Sequence, residues 1–388
     1  MTNMFENELS HLKQDNLLRT LVRISSGQGP RVTVNGNEVI LLCSNNYLGI
    51  AEHHSLRLAA MTAMERYGFG SGASRLVSGN MDLHEELERR IAAFKGTASA
   101  ILFNSGHAAN TGVIPAICGE GDIILSDSLN HASIIDGCRL SRARTLVYRH
   151  CDSAHLESLL KGQALARRKL IVTDGVFSMD GDIAPLADLA VLAERYNAIL
   201  MVDDAHGTGV LGEGGRGTAA HFGLANRVHI QMGTFGKALG SFGAYVAGEN
   251  DIIRHLQNAA RSFVFSTALP PAVCAASIAA LDVLEREPWR RKQLGENRER
   301  LVHGLAGLGI STGNSRTPII PVIATDTPSS LKASQGLLER GIFAPAIRPP
   351  SVPEGSSRIR ATVMATHSCA DIDSAIEAFG MLKDKGCF

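Results

Sequence analysis

The chain has 388 residues, 38 basic against 38 acidic side chains, 45% hydrophobic residues and 39 glycines. Formal neutrality argues against a polyanionic partner such as nucleic acid, which requires a strongly basic surface, and the length suffices for a large core divided between two domains. No apolar stretch reaches the roughly 20 residues of a membrane span, and the polar start MTNMFENELSHLKQDN lacks a signal-peptide core. A cytoplasmic protein is expected, with seven scattered cysteines, none in a CxxC pair, as reduced thiols rather than disulfides or a zinc site.

Residues 1–50 read as an amphipathic lead-in that ends in the apolar run VILLCSNNYLG. The segment DLHEELERRIAAFKG follows as a helix: Asp82 and Glu85 fit a capping box, Leu83, Leu87 and Ile91 share a face, and Gly96 can end it. From Ser99 to Gly248, strand-length apolar runs recur as SAILFN, DIILSD, TLVYRH, KLIVTD, AILMVDD, VHIQMG and GAYVAG. Helical segments such as PLADLAVLAERY separate several of them. Runs apolar on both faces with helical crossovers predict a mostly parallel, buried central sheet flanked by helices. After Pro288 a polar helix, WRRKQLGENRERLVHGLAGLG, leads to the shorter strands PIIPVIA, IFAPAIR and SRIRATVMA, the pattern of a smaller α+β domain. The expected division is 1–50, 51–287 and 288–388.

Two constellations carry chemistry. In QMGTFGKALG, Lys237 follows an apolar run and stands among glycines that allow close backbone approach to a ligand. A Walker A loop is excluded, because Gln231 replaces its first glycine and Ala238 its Ser or Thr. A lysine at the end of an inner strand can instead lose its charge by desolvation and act as a Schiff-base nucleophile. In AILMVDDAHGTGVLGEGGRG, Asp203, Asp204 and His206 close a buried strand, where open α/β sheets place their ligands. GTGVLG matches the dinucleotide pattern GxGxxG, but more glycines follow where a helix should begin. The remaining reading is a carboxylate opposite a cationic ring nitrogen, the arrangement that makes pyridoxal phosphate an electron sink.

With TFGK and VDDAHGTG, the segments DGVFSMDGD and LNHASIIDG complete four motifs in one order. Over essentially its whole length the chain resembles the pyridoxal-phosphate-dependent α-oxoamine synthases, of aminotransferase fold type I. The resemblance implies that Lys237 binds the cofactor covalently, Asp203 pairs with its ring nitrogen, His206 bonds its phenolic oxygen, His131 stacks on the ring and Ser178 sits near it. It further implies that the backbone of Gly106 and His107, at a helix start, and Thr234 hold the phosphate. A phenylalanine or tyrosine is common where His107 stands, and backbone contacts should survive that change. Ser266 and Thr267 in FSTALPP would complete the phosphate site of a neighbouring subunit, implying an obligate homodimer.

In IRPPSVPEGSSRIRATVMATH, a guanidinium is the natural clamp for a substrate carboxylate. The resemblance selects Arg360, with Arg358 expected to face the other way, and adds Arg348, Arg19, Asn45 and Ser351 as further substrate contacts. Asn46 stands where aspartate is frequent. Within the family, the IRPP, DDAHGTG and FSTALPP forms imply decarboxylative condensation of L-alanine with a pimeloyl thioester, carried on coenzyme A or acyl carrier protein. A glycine-using acyltransferase is the alternative. Asp174 and GKALG also occur in that branch. No metal is expected.

Overall fold

A computed structural model of the chain describes residues 2–163 and 165–388 and separates them into two compact units. The larger comprises residues 50–178 and 182–291. The smaller comprises the residues up to Gly49, 179–181 and 292–388.

All seven apolar runs of the middle region form one sheet. Its spatial order is Ser99–Phe103, Ala244–Gly248, Ile230–Thr234, Ile199–Asp203, Lys169–Asp174, Ile123–Asp127 and Arg144–Tyr148. Only Ala244–Gly248 runs antiparallel to its neighbours; every other pairing is parallel. Side chains alternate across a pleated strand, so each run feeds two cores. Leu170, Val172 and Met201 join one with Val113 and Ile114 of helix Gly106–Ile117. Ile171, Leu200 and Val202 join the other with Leu186 and Leu189 of helix Leu186–Arg195. Burying one such side chain fully is worth about 1.5–3 kcal/mol. That two-sided requirement is why the strands read as continuous apolar runs.

Register places the chemistry. Asp174 pairs with Asp203, and Asp203 with Met232, so the carboxyl ends of three central strands finish level. Helix Asp82–Lys95 forms as expected, but its cap differs: Asp82 is already helical, and Met81 N–H is satisfied by Nδ1 of the buried His84 at 3.1 Å. Gly96 does end it, in the left-handed conformation (φ 69°) that favours glycine.

In the smaller unit, Arg31–Val34 and Asn37–Leu41 form a hairpin closed by Asn35 and Gly36 at φ 51° and 82°, the two-residue turn that matches strand twist. Ile342–Phe343 adds to it in parallel. In a second sheet, Arg358–Thr362 lies between Ile319–Ile323 and Ala346–Ile347, antiparallel to both. The described residues contain no helix long and apolar enough to cross a membrane. All seven cysteines are free.

Candidate active site

A cavity of about 210 Å³ opens in the larger unit where the level strand ends meet. Lys237, His206, Asp203, His131, Ser178, Thr234, Gly106 and His107 all line it, from segments as far apart as 106 and 237 in the chain. Lys237 Nζ stands 2.9 Å from His206 Nε2. Asp203 is buried; its Oδ1 accepts from Ala205 N–H at 3.0 Å and its Oδ2 from Asn110 Nδ2 at 2.7 Å. Burial pushes the Asp203 carboxyl above the usual range, against the Lys237 charge and these hydrogen bonds, which favour the ionised form. Asp174 lines the cavity too. It lies well above the ordinary carboxylate range, through burial and the adjacent Asp203 charge.

His131 caps helix Ala132–Ser141 with its own ring: Nδ1 accepts from Ser133 N–H at 3.2 Å and lies 2.7 Å from Ser133 Oγ. Burial lowers its pKa. Gly106 and His107 open helix Gly106–Ile117, where the first N–H groups have no acceptor within the helix and the dipole is positive. The exposed His107 side chain lies 3.3 Å from Asp136. Thr234 Oγ1 donates to Gly243 C=O at 2.8 Å and accepts from Gly236 N–H at 3.1 Å, which fixes the turn before Lys237. Ser266 and Thr267 do not line this cavity. They border a separate, much smaller cleft, where Asn104 Nδ2 donates to Thr267 C=O at 2.9 Å.

Asp204 turns away from the cavity. Its Oδ2 pairs at 2.7 Å with the fully buried Lys95 Nζ, which also donates to Arg216 C=O at 2.6 Å. Its Oδ1 accepts from Thr218 Oγ1 at 2.6 Å and Thr218 N–H at 3.0 Å. A Cβ at Gly217 would lie 1.6 Å from this carboxylate and one at Gly207 2.1 Å, so glycines of the GTGVLGEGGRG run make room for it.

Behind Ser178, His150 Nδ1 bonds Asp127 at 2.9 Å and Nε2 bonds Asp182 at 2.8 Å. Burial alone would lower this imidazole's pKa, but the two carboxylates carry it up to about 12. Asp127, His150 and Cys151 bring ligand-type atoms within 4.8 Å of one another, yet both ring nitrogens are engaged by carboxylates. The group reads as an ion-paired imidazolium that anchors the segment after Ser178.

In the smaller unit, Arg360 Nη2 donates to Asn45 Oδ1 at 3.2 Å and to the buried Tyr47 hydroxyl at 3.4 Å. Arg358 departs from expectation. Residues two apart on a strand share a face, so it does not point opposite Arg360; what separates them is their partners, since Arg358 binds Asp180 Oδ1 at 2.5 Å and Met179 C=O at 3.2 Å. Arg358 is thereby committed to structure. Arg19 Nη2 donates to Ser351 Oγ at 3.3 Å, and Arg348 Nη2 to Leu18 C=O. Burial and the Arg19 charge lower the Arg348 pKa, and its buried Nε has no hydrogen-bond partner. Asn46 Nδ2 donates to Gln28 C=O at 3.0 Å, an amide contact that a carboxylate could not make.

The family model for class I and II aminotransferases matches residues 37–379. The 8-amino-7-oxononanoate synthase of Geotalea daltonii is 56% identical over 377 residues, 96% of each chain. The chain belongs to the class I and II aminotransferases, among the α-oxoamine synthases. Its fold is shared with serine palmitoyltransferase from S. paucimobilis, solved with bound PLP-myriocin aldimine, at TM-score 0.93 and 30% identity over 98% of this chain and 97% of that one. An 8-amino-7-oxononanoate synthase from Francisella tularensis superposes at TM-score 0.78 and 28% identity, covering 89% of this chain and 98% of that one.

This α-oxoamine synthase is a pyridoxal-phosphate enzyme, and its cavity fits that group. A buried carboxylate short of positive charge suits a protonated ring nitrogen, a helix N-terminus suits a phosphate, and an amine beside an imidazole suits an aldehyde carbon and phenolic oxygen. Sequence reasoning missed Asn110, Ser133 and Tyr47. Asn110 lies inside NSGHAAN, but its contact with Asp203 spans 93 residues and leaves no local signature.

Proposed function

We propose that this synthase condenses L-alanine with a pimeloyl thioester and releases carbon dioxide, the reaction that makes 8-amino-7-oxononanoate for biotin. The observation that carries this reading is the grouping of Lys237, His206, Asp203 and His131 around one cavity, in a chain 56% identical over nearly its full length to a synthase of that name.

Pyridoxal phosphate, held by Lys237, Asp203, His206, His131, Ser178 and Thr234 and by the Gly106 and His107 backbone, supplies an electron sink for negative charge at the alanine Cα. Arg360 takes the alanine carboxylate, with Asn45 and Tyr47 keeping the guanidinium oriented. Lys237 Nζ, as a neutral amine, removes the Cα proton. The new C–C bond forms at the thioester carbonyl carbon as the C–S bond breaks and the thiol carrier departs. His131 Nε2 donates to that carbonyl oxygen. The former alanine carboxylate leaves as carbon dioxide, and Cα receives a proton before release. Arg19, Arg348 and Ser351 contact the acyl substrate.

The working form is a homodimer in the cytoplasm. Phe69, Val77 and Phe265 are each more than 70% exposed, apolar surface that a second subunit would cover. Ser266 and Thr267, beside Phe265 and outside their own chain's cavity, serve the partner's phosphate.

Spectral titration of the purified protein with L-alanine and separately with glycine, followed by product analysis with pimeloyl-CoA, tests the reading. Cofactor absorbance responding to alanine in preference to glycine, with one carbon dioxide and one thiol released per product, is expected. A glycine preference moves the protein to the glycine-using branch, and no cofactor absorbance after adding pyridoxal phosphate overturns the enzyme assignment.

A further inference from the structure

We propose that Asn110 is a positioning residue for both halves of the chemistry: its amide holds Asp203 as a hydrogen-bond acceptor and, through Ser133, fixes His131 with its proton on Nε2. The inference rests on the roles given above to Asp203 and His131, and deepens them.

Asn110 is fully buried on the helix that opens at Gly106. Its Nδ2 carries two hydrogens, and both are used: one goes to Asp203 Oδ2 at 2.7 Å and the other to Ser133 Oγ at 2.9 Å. The reversed amide would set its carbonyl oxygen against a carboxylate, so the Asp203 charge decides its orientation. In that orientation Asn110 Oδ1 is buried without a hydrogen-bond partner. Buried acceptors are rarely left unpaired, and a leucine of similar size would avoid the penalty altogether. The asparagine therefore makes sense for what its amide hydrogens do.

Ser133 passes the polarity on. Its Oγ receives a hydrogen from Asn110, so its own hydrogen points to His131 Nδ1, 2.7 Å away. Ser133 N–H also donates to Nδ1, at 3.2 Å. With two donors aimed at it, Nδ1 carries no proton, and a neutral imidazole must then hold its proton on Nε2. That is the atom available as a donor to a substrate oxygen. One side chain thus makes Asp203 accept and His131 donate, two states that the reaction needs together.

Two measurements on the loaded protein test this. Nitrogen NMR of histidine-labelled parent enzyme, with His131 assigned by its loss in His131→Asn, should show a neutral ring protonated on Nε2; an Nδ1–H ring overturns the proposal, without requiring any Asn110 variant to fold. Pyridoxal phosphate labelled at the ring nitrogen should keep the proton it shares with Asp203 to a pH about 1 to 2 units higher in Asn110→Leu than in the parent, because a carboxylate stripped of a donor is the stronger base, by the worth of one hydrogen bond to a charged group. Ser133→Ala should leave that titration in place while its His131 ring populates Nδ1–H. A purely structural asparagine would lower thermal stability and leave the ring titration unmoved, which also overturns the proposal. Failure of the parent to bind pyridoxal phosphate would instead refute the reading beneath it.

Discussion

Asp203 and Asp204 are adjacent, both buried, and lie at the end of the same strand, yet they face opposite problems. Asp204 has its countercharge built in: Lys95, Thr218 and a glycine-lined pocket complete its shell within the chain. Among the described residues, Asp203 receives two hydrogen bonds and no full ion pair, and burial pushes its carboxyl upward. A buried charge is stable only when paired. The closed pair belongs to the fold, and the open one is, in the function proposed above, the partner of the protonated cofactor ring. The glycine run that imitates a dinucleotide motif falls on the closed side, where it shapes a pocket for a carboxylate rather than a phosphate.

The largest effect should come from the open side. Lys237→Ala should cut turnover by on the order of 10³-fold or more, since it removes the group proposed to move the Cα proton, while the fold, judged by unfolding in denaturant, stays close to the parent. Multiple turnovers at near-parental rate would remove Lys237 from the chemistry and dissolve the contrast between the two carboxylates.

On the closed side the effect should fall on stability. Lys95→Met leaves Asp204 buried without its cation, an error that typically costs about 3–5 kcal/mol. Asp204→Asn combined with Lys95→Met should recover much of this, because the pair and its neutral replacement have similar net worth. Denaturant unfolding of the two single variants and the double variant forms a cycle that measures the coupling. Additive losses would show that the pair is not a unit.

The same contrast explains what could be read in advance. The central sheet was legible because each strand is apolar on both faces, and the grouping of Lys237, His206 and Asp203 at one cavity because their motifs are local. Long-range contacts were not. Ile342 and Phe343 pair with Ile40 and Leu41 some 300 residues earlier, which joins the N-terminal segment to the C-terminal residues in one unit. The cap of helix Asp82–Lys95 was misread because a buried histidine, held by Leu269 C=O at 2.8 Å, substitutes for the acidic side chain. Arg358 was expected to face away from Arg360; instead Asp180 and Met179, far away in the chain, commit it to structure.

The smallest expected effect concerns Asp174, which shares the open side with Asp203. Burial and the Asp203 charge hold its carboxyl well above the usual range. A carboxyl raised in the folded state contributes stability that is fully present below the unfolded pKa, near 4, and lost as pH rises through the folded value. In the cofactor-free protein the Asp174 contribution to thermal stability should therefore fall as pH rises above about 4, and Asp174→Asn should remove that part of the pH dependence by removing the proton that is lost. Added pyridoxal phosphate should flatten it as well, because a cationic ring offsets the charge on Asp203 and its neighbour. Melting temperatures across pH 4–8 for parent and variant, each with and without cofactor, give the comparison. An unchanged slope in the variant would mean that the open side already carries its compensating charge within the chain, and that the two aspartates differ less than their partners imply.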